Sequence, residues 1–138
     1  MRKSDMTAKV DLKIEATVNP SEDSKKVISA ITNLFSGCSP ELKYGSLIVA
    51  RCAGTRYLTT LYEQSRARSA VGVLRRMLTD NRISNTTRFL LNKQAAVAGL
   101  AVVTEDENES PLGPIRVIVI SDELDKLIDW LAPLQQQS

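Results

Sequence analysis

Between positions 8 and 18 the chain alternates without a break: Val10, Leu12, Ile14, Ala16 and Val18 are apolar, whereas Lys9, Asp11, Lys13, Glu15 and Thr17 are polar. A period of two sends successive side chains to opposite faces, so this segment predicts a strand with one face on a core and the other toward water. Such a strand needs neighbours along its edges and a second layer over its apolar face. The rest of the chain has to supply both.

Asn19-Pro20-Ser21-Glu22-Asp23 ends the alternation, and Val27, Ile28, Ile31, Leu34 and Phe35 then recur at helical spacing as far as Gly37, with Asp23 or Ser21 as the expected cap. After Ser39-Pro40 the β-prone segment 47–53 predicts a strand ending at Gly54, preceded by a short strand near Leu42. From Thr55 the pattern is helical, first through Leu58, Leu61 and Tyr62, then through Ala67, Ala70, Val71, Leu74, Met77 and Leu78, a long or broken helix ending near Asp80-Asn81. Segments 86–91, 100–104 and 115–120 read as strands, separated by Asn92-Lys93-Gln94 and by the polar loop 105–113. Ser121 is the expected cap of a last helix carrying Asp122 and Glu123 in its first turn, burying Leu124, Leu127, Ile128 and Leu131, and stopped by Pro133. Two of the strand connections are short, so the sheet is expected to be mostly antiparallel. The predicted class is α+β, with about three helices packed on the sheet.

At 138 residues, with no linker or repeat, the chain is read as one domain over 1–138, with 1–7 and 134–138 expected to fray. No apolar run approaches the roughly 20 residues that span a bilayer, and no apolar stretch of signal-peptide type follows Arg2-Lys3. A cytoplasmic location with no membrane contact is therefore expected. Cys38 and Cys52 fit no zinc spacing and are expected to be buried structural thiols.

The chain contains no histidine, which removes the commonest general base and the commonest nitrogen ligand of transition metals. A Ser-His-Asp or Cys-His enzyme is excluded. Neither a GxGxxG nor a GxxxxGK[ST] phosphate loop is present, and the acidic run Glu105-Asp106-Glu107-Asn108-Glu109 lacks the glycine and ligand spacing of a calcium loop. The expectation is a protein that binds rather than an enzyme, with no cofactor. Chemistry without histidine would fall to Lys, Asp, Tyr or Cys, and a pocket enclosing Lys93 with Asp129 or Cys52 would reopen the case for an enzyme.

Charge is distributed unevenly. Residues 1–50 carry a net +1, residues 51–93 a net +7 and residues 94–138 a net −6. Arg51, Arg56, Arg66, Arg68, Arg75, Arg76, Arg82 and Arg88 supply most of the middle excess, joined by Lys93. Arginine's planar fork suits bidentate contact with phosphate. Arg68 and Arg75, seven residues apart with Arg76 beside them, form a stripe that could follow a nucleic-acid backbone. The alternative is a solvated face whose arginines pair with the acidic last third. The chain has only six aromatic residues, so phosphate and shape contacts are expected over a stacking platform. Asn92-Lys93-Gln94 is either a strand-ending turn or a place where a ligand approaches the small residues that follow.

Four segments carry a resemblance: Asn19-Pro20-Ser21-Glu22-Asp23, Leu91-Asn92-Lys93-Gln94-Ala95-Ala96, Ser110-Pro111-Leu112-Gly113-Pro114-Ile115 and Ile128-Asp129-Trp130-Leu131-Ala132-Pro133. In this order, from about Val10 to Pro133, they resemble an archaeal family of uncharacterised proteins grouped with predicted RNA-binding proteins and assigned a fold similar to large-subunit ribosomal protein five. Ser24 departs from the pattern, standing where a proline often follows the acidic cap. The resemblance implies an antiparallel sheet covered by helices, and an RNA-binding or ribonucleoprotein-associated module. The residues expected to contact RNA are Arg66, Arg68, Arg75, Arg76, Arg88, Asn92, Lys93 and Gln94. The competing expectation is a self-associating interaction subunit, a homodimer, with no nucleic-acid role.

Overall fold

The computed structural model describes residues 9–134. Strand β1 (Val10–Thr17) follows the alternation, burying Val10, Leu12, Ile14 and Ala16. Helix α1 (Ser24–Leu34) starts where the Asp23 carboxylate accepts the Lys25 backbone N–H. A hairpin of β2 (Glu41–Lys43) and β3 (Leu47–Ala53) follows, turning at Tyr44 and Gly45, both at positive φ (56° and 72°). After a 3-10 turn over Thr55–Leu58 come α2 (Thr59–Ala67) and α3 (Val71–Asp80). The expected long helix is thus broken, at Ser69, whose φ of 56° leaves the helical region. The chain continues through β4 (Thr86–Asn92), α4 (Lys93–Val97), β5 (Val103–Thr104), β6 (Pro114–Ser121) and α5 (Leu124–Leu131).

The six strands form one sheet in the order β2-β3-β1-β6-β4-β5, antiparallel throughout. Alternation in β1, β3, β4 and β6 puts Leu12, Ile14, Ile48, Ala50, Phe89, Leu91, Val117 and Val119 on one buried face. The helices cover this face with Val27, Ile31, Leu34, Leu61, Leu74, Leu78, Leu127 and Trp130, which complete a single core. Among the described residues, no helix lies on the opposite face of the sheet. The expected α+β class therefore holds, with five helices among the described residues instead of about three: the second predicted helix is two, and α4 is too short to leave a periodic pattern.

Three local expectations are corrected. Cys38 and Cys52 are not thiols but a disulfide, with Cα atoms 5.4 Å apart. Cys52 continues the inward row of Ile48 and Ala50, and the chain leaving α1 brings Cys38 against it, a proximity that a separation of 14 residues does not reveal. Ser121 does not cap α5; it ends β6 buried, accepting the Glu123 N–H, and the helix begins at Leu124. Finally, Asn92 begins a helix where a turn is expected, its side chain accepting the Ala95 N–H. Among the described residues no helix is long and apolar enough to cross a membrane. The expectations for 1–7 and 135–138 lie outside the described residues.

Candidate nucleic-acid interface

Most of the middle segment's positive charge is engaged inside the fold. Arg66, on α2, lies over the Tyr62 ring at 3.5 Å and donates to the backbone carbonyls of Trp130 and Leu131, both at 3.1 Å. Arg75, on α3, donates to the Ala132 carbonyl at 3.0 Å and pairs with Asp129 at 2.8 Å. These are the last, otherwise unpaired carbonyls of α5, at the negative end of its dipole, so two arginines from different helices cap one helix terminus. Tyr62 also stacks on the buried Trp130, with ring centroids 5.0 Å apart. Arg76 pairs with Glu105 and Arg82 with Asp125. Three ion pairs thus join the +7 and −6 segments across the helical layer.

Lys93 is buried, 1% exposed. Its ammonium donates to the Thr17 carbonyl at 2.8 Å, the Leu112 carbonyl at 2.7 Å and the Glu22 carboxylate at 2.9 and 3.2 Å. Asn19 joins the knot by donating to Glu22 and to the Leu112 carbonyl. Burial pushes the Glu22 carboxyl up, but the Asn19 N–H, the Lys93 ammonium and the Asn19 amide outweigh it and hold the group below its ordinary value. Three of the segments that carry the family resemblance therefore meet at one buried cation, and the fourth is the α5 terminus gripped by Arg66 and Arg75. Asp129 and Cys52 lie in other contacts, so Lys93 is joined to neither. Gln94 is exposed and accepts a hydrogen bond from Ser110.

Of the eight residues expected at an RNA surface, Arg68 and Arg88 are exposed and make no side-chain ion pair with another described residue. They are not neighbours: Arg68 ends α2 in the helical layer, whereas Arg88 points from β4 to the helix-free face. Pairing across the sheet places Arg88 opposite Ile118, Ile118 opposite Lys13 and Lys13 opposite Arg51. One row across four strands thus reads Arg51, Lys13, Ile118, Arg88. The neighbouring row reads Val49, Glu15, Arg116, Leu90, and the one beyond it Ala53, Asp11, Ile120, Thr86. Lys13 approaches Glu15 at 3.6 Å and Arg116 pairs with Glu15 at 3.1 Å, leaving Arg51, Arg88 and Asp11 as the charges of this face without an ion pair to another described residue.

Two open clefts flank the β6 side chains, each of roughly 500 Å³. One is lined by Asp11, Lys13, Arg51 and Ile120; the other by Asp80, Thr86, Arg88 and Ile118. The loop 105–113 closes one end of the face. β4 lies between β5 and β6, so this connection must pass it, and Leu90, although it points away from the helices, is only 6% exposed. Glu107 in this loop pairs with Arg116, whose hydrogen bond and charge, with Arg88 adding to them, hold the Glu107 carboxyl below its ordinary value. Arg51, Lys13 and Arg116 are absent from the expected site. Their signal was the polar half of the strand alternation, read together with strand pairing that one sequence does not contain.

A family model described as RNA binding matches residues 11–121, which take in all six strands apart from Val10 and stop short of α5. A UPF0201 protein of Sulfurisphaera tokodaii is 41% identical over 125 residues, covering 87% of this chain and 85% of that protein. One from Pyrobaculum islandicum is 38% identical over 128 residues, covering 88% and 90%. Among solved structures, the UPF0201 protein from Methanococcus jannaschii superposes with a TM-score of 0.77 at 30% identity, over 91% of this chain and 95% of that one.

Proposed function

The chain belongs to the UPF0201 family, matched by the RNA-binding family model, and on that premise we propose that it binds RNA through the helix-free face of its sheet rather than turning over a substrate. The observation that carries the reading is the row Arg51, Lys13, Ile118, Arg88: cations from three strands on a face that no helix of the described residues covers. Guanidinium groups held on strands present their forks at fixed spacing, which suits phosphate oxygens better than the same groups on a mobile loop. The matched region supports the assignment because it contains nearly the whole sheet and omits α5.

Recovery of RNA after crosslinking in cells tests the proposal. The native chain recovers RNA, and the pair Arg51→Glu with Arg88→Glu recovers little, while unfolding at the same temperature. Recovery equal to that of the native chain overturns the assignment to this face. One observation favours a second reading, self-association into a homodimer: Ile120 is 40% exposed on the same face as Val49 and Ile118. A dimeric mass in solution that Ile120→Glu reduces to a monomer would support it.

A further inference from the structure

Resting on the RNA-binding reading, we propose that the ligand is double-stranded RNA, received with the Ile118–Ile120 ridge in its minor groove and with Arg51 and Arg88 on the phosphates at either side. The side chains on the helix-free face decide between paired and unpaired RNA. A surface that grips single strands needs rings on which bases stack. No outward position of β1, β3, β4 or β6 holds one. Phe35, Phe89 and Trp130 are buried, Tyr57 and Tyr62 lie against Arg56 and Arg66, and Tyr44 stands at the β2–β3 turn, 94% exposed but off the sheet face. An unstacked base would therefore meet isoleucine and charge.

The spacing of the free cations fits a duplex. Arg51 and Arg88 lie three strand intervals apart, about 14–15 Å at the usual separation of neighbouring strands, with Ile118 between them. On a single strand that span covers several nucleotides, and the aliphatic ridge between offers them nothing. A paired A-form helix presents a wide, shallow minor groove with a phosphate strand along each side and 2′-hydroxyls on its floor. A low ridge with Arg51 in the cleft on one side and Arg88 in the cleft on the other complements that shape. Because B-form DNA has a narrow minor groove and lacks the 2′-hydroxyl, the same surface fits a DNA duplex less well.

The test uses the full chain and four labelled probes of one sequence: a 20-base-pair RNA duplex, each RNA strand alone, and the DNA duplex. Anisotropy titrations across a range of salt give affinity and its salt slope. The RNA duplex binds at least tenfold tighter than either strand or the DNA duplex, and Arg51→Gln and Arg88→Gln each reduce the magnitude of the slope by about 1. Equal or tighter binding of a single strand, or of the DNA duplex, overturns the duplex assignment while leaving RNA binding in place. Failure of every RNA probe to bind overturns the RNA-binding reading and this inference with it.

Discussion

Lys93 and Glu22, 71 residues apart in the chain, close a salt bridge of 2.9 Å whose ammonium side is 2% exposed. Two backbone carbonyls complete the ammonium's hydrogen bonds, so the charge is fully partnered. A buried charge that loses its partner is costly, whereas loss of both charges together is much less so. Lys93→Met alone is expected to destabilise the fold by about 3–5 kcal/mol. Adding Glu22→Gln should recover part of that loss in a double-mutant cycle, measured by chemical denaturation. Strict additivity of the two substitutions would show that the pair does not act as a unit.

The same pair sets a pH dependence. Glu22 has its folded-state pKa lowered, so its contribution is fully present above the unfolded value and is lost as pH falls through the folded one. The unfolded chain takes up the proton first, and stability therefore declines with acidification below about pH 5. Thermal unfolding between pH 3 and pH 7 should show a shallower decline for Glu22→Gln than for the native chain. Parallel curves would remove Glu22 from the acid response.

Arg66 and Arg75 should behave as helix caps. Alanine at either position leaves carbonyls at the end of α5 without their donor, and the expected loss is about 1–3 kcal/mol of stability each. RNA affinity of the folded variants should stay within twofold of native. A drop in affinity with unchanged unfolding would return these arginines to the binding surface.

The disulfide closes a short loop between the end of α1 and β3. For a loop of roughly 15 residues, constraint of the unfolded chain stabilises by about 3 kcal/mol. Denaturation of the native chain with and without reductant, beside Cys38→Ala with Cys52→Ala, should give a loss of this order in both comparisons. An unchanged midpoint on reduction would mean the bond contributes nothing to stability.

Glu107 occupies Arg116 at the edge of the proposed RNA face. Phosphate and carboxylate compete for the same guanidinium fork, so Glu107→Gln should tighten RNA duplex binding by a few-fold at low salt and steepen its salt dependence. Weaker binding would indicate that the loop itself contacts the ligand.

How much of this was legible in the sequence depended on how far a pattern extends. The eight residues of β1 and the apolar rows of α1, α3 and α5 repeat often enough to declare both type and face. β5, with two paired residues, and α4, with five, do not repeat at all before they end. The site failed for a different reason. Arginines clustered along the chain looked like a surface, yet Arg66, Arg75 and Arg82 find their partners on or beside α5, roughly fifty residues further along. The cations that do share a face come from β1, β3, β4 and β6, and only strand register puts Lys13 beside Arg51 and Arg88 opposite Ile118.

Strand order has a consequence for how the molecule comes into being. Of the described strands β1 is made first, yet one of its two edges is reserved for β6, the last of them. Until then β1–β3 with α1 and β4–β5 with α3 are two separate half-sheets, each with an open edge that invites a stranger. Contacts of such long sequence separation form slowly. A chain stalled or truncated before Pro114 therefore holds two unclosed seams, and its fate is decided by whatever pairs with them first.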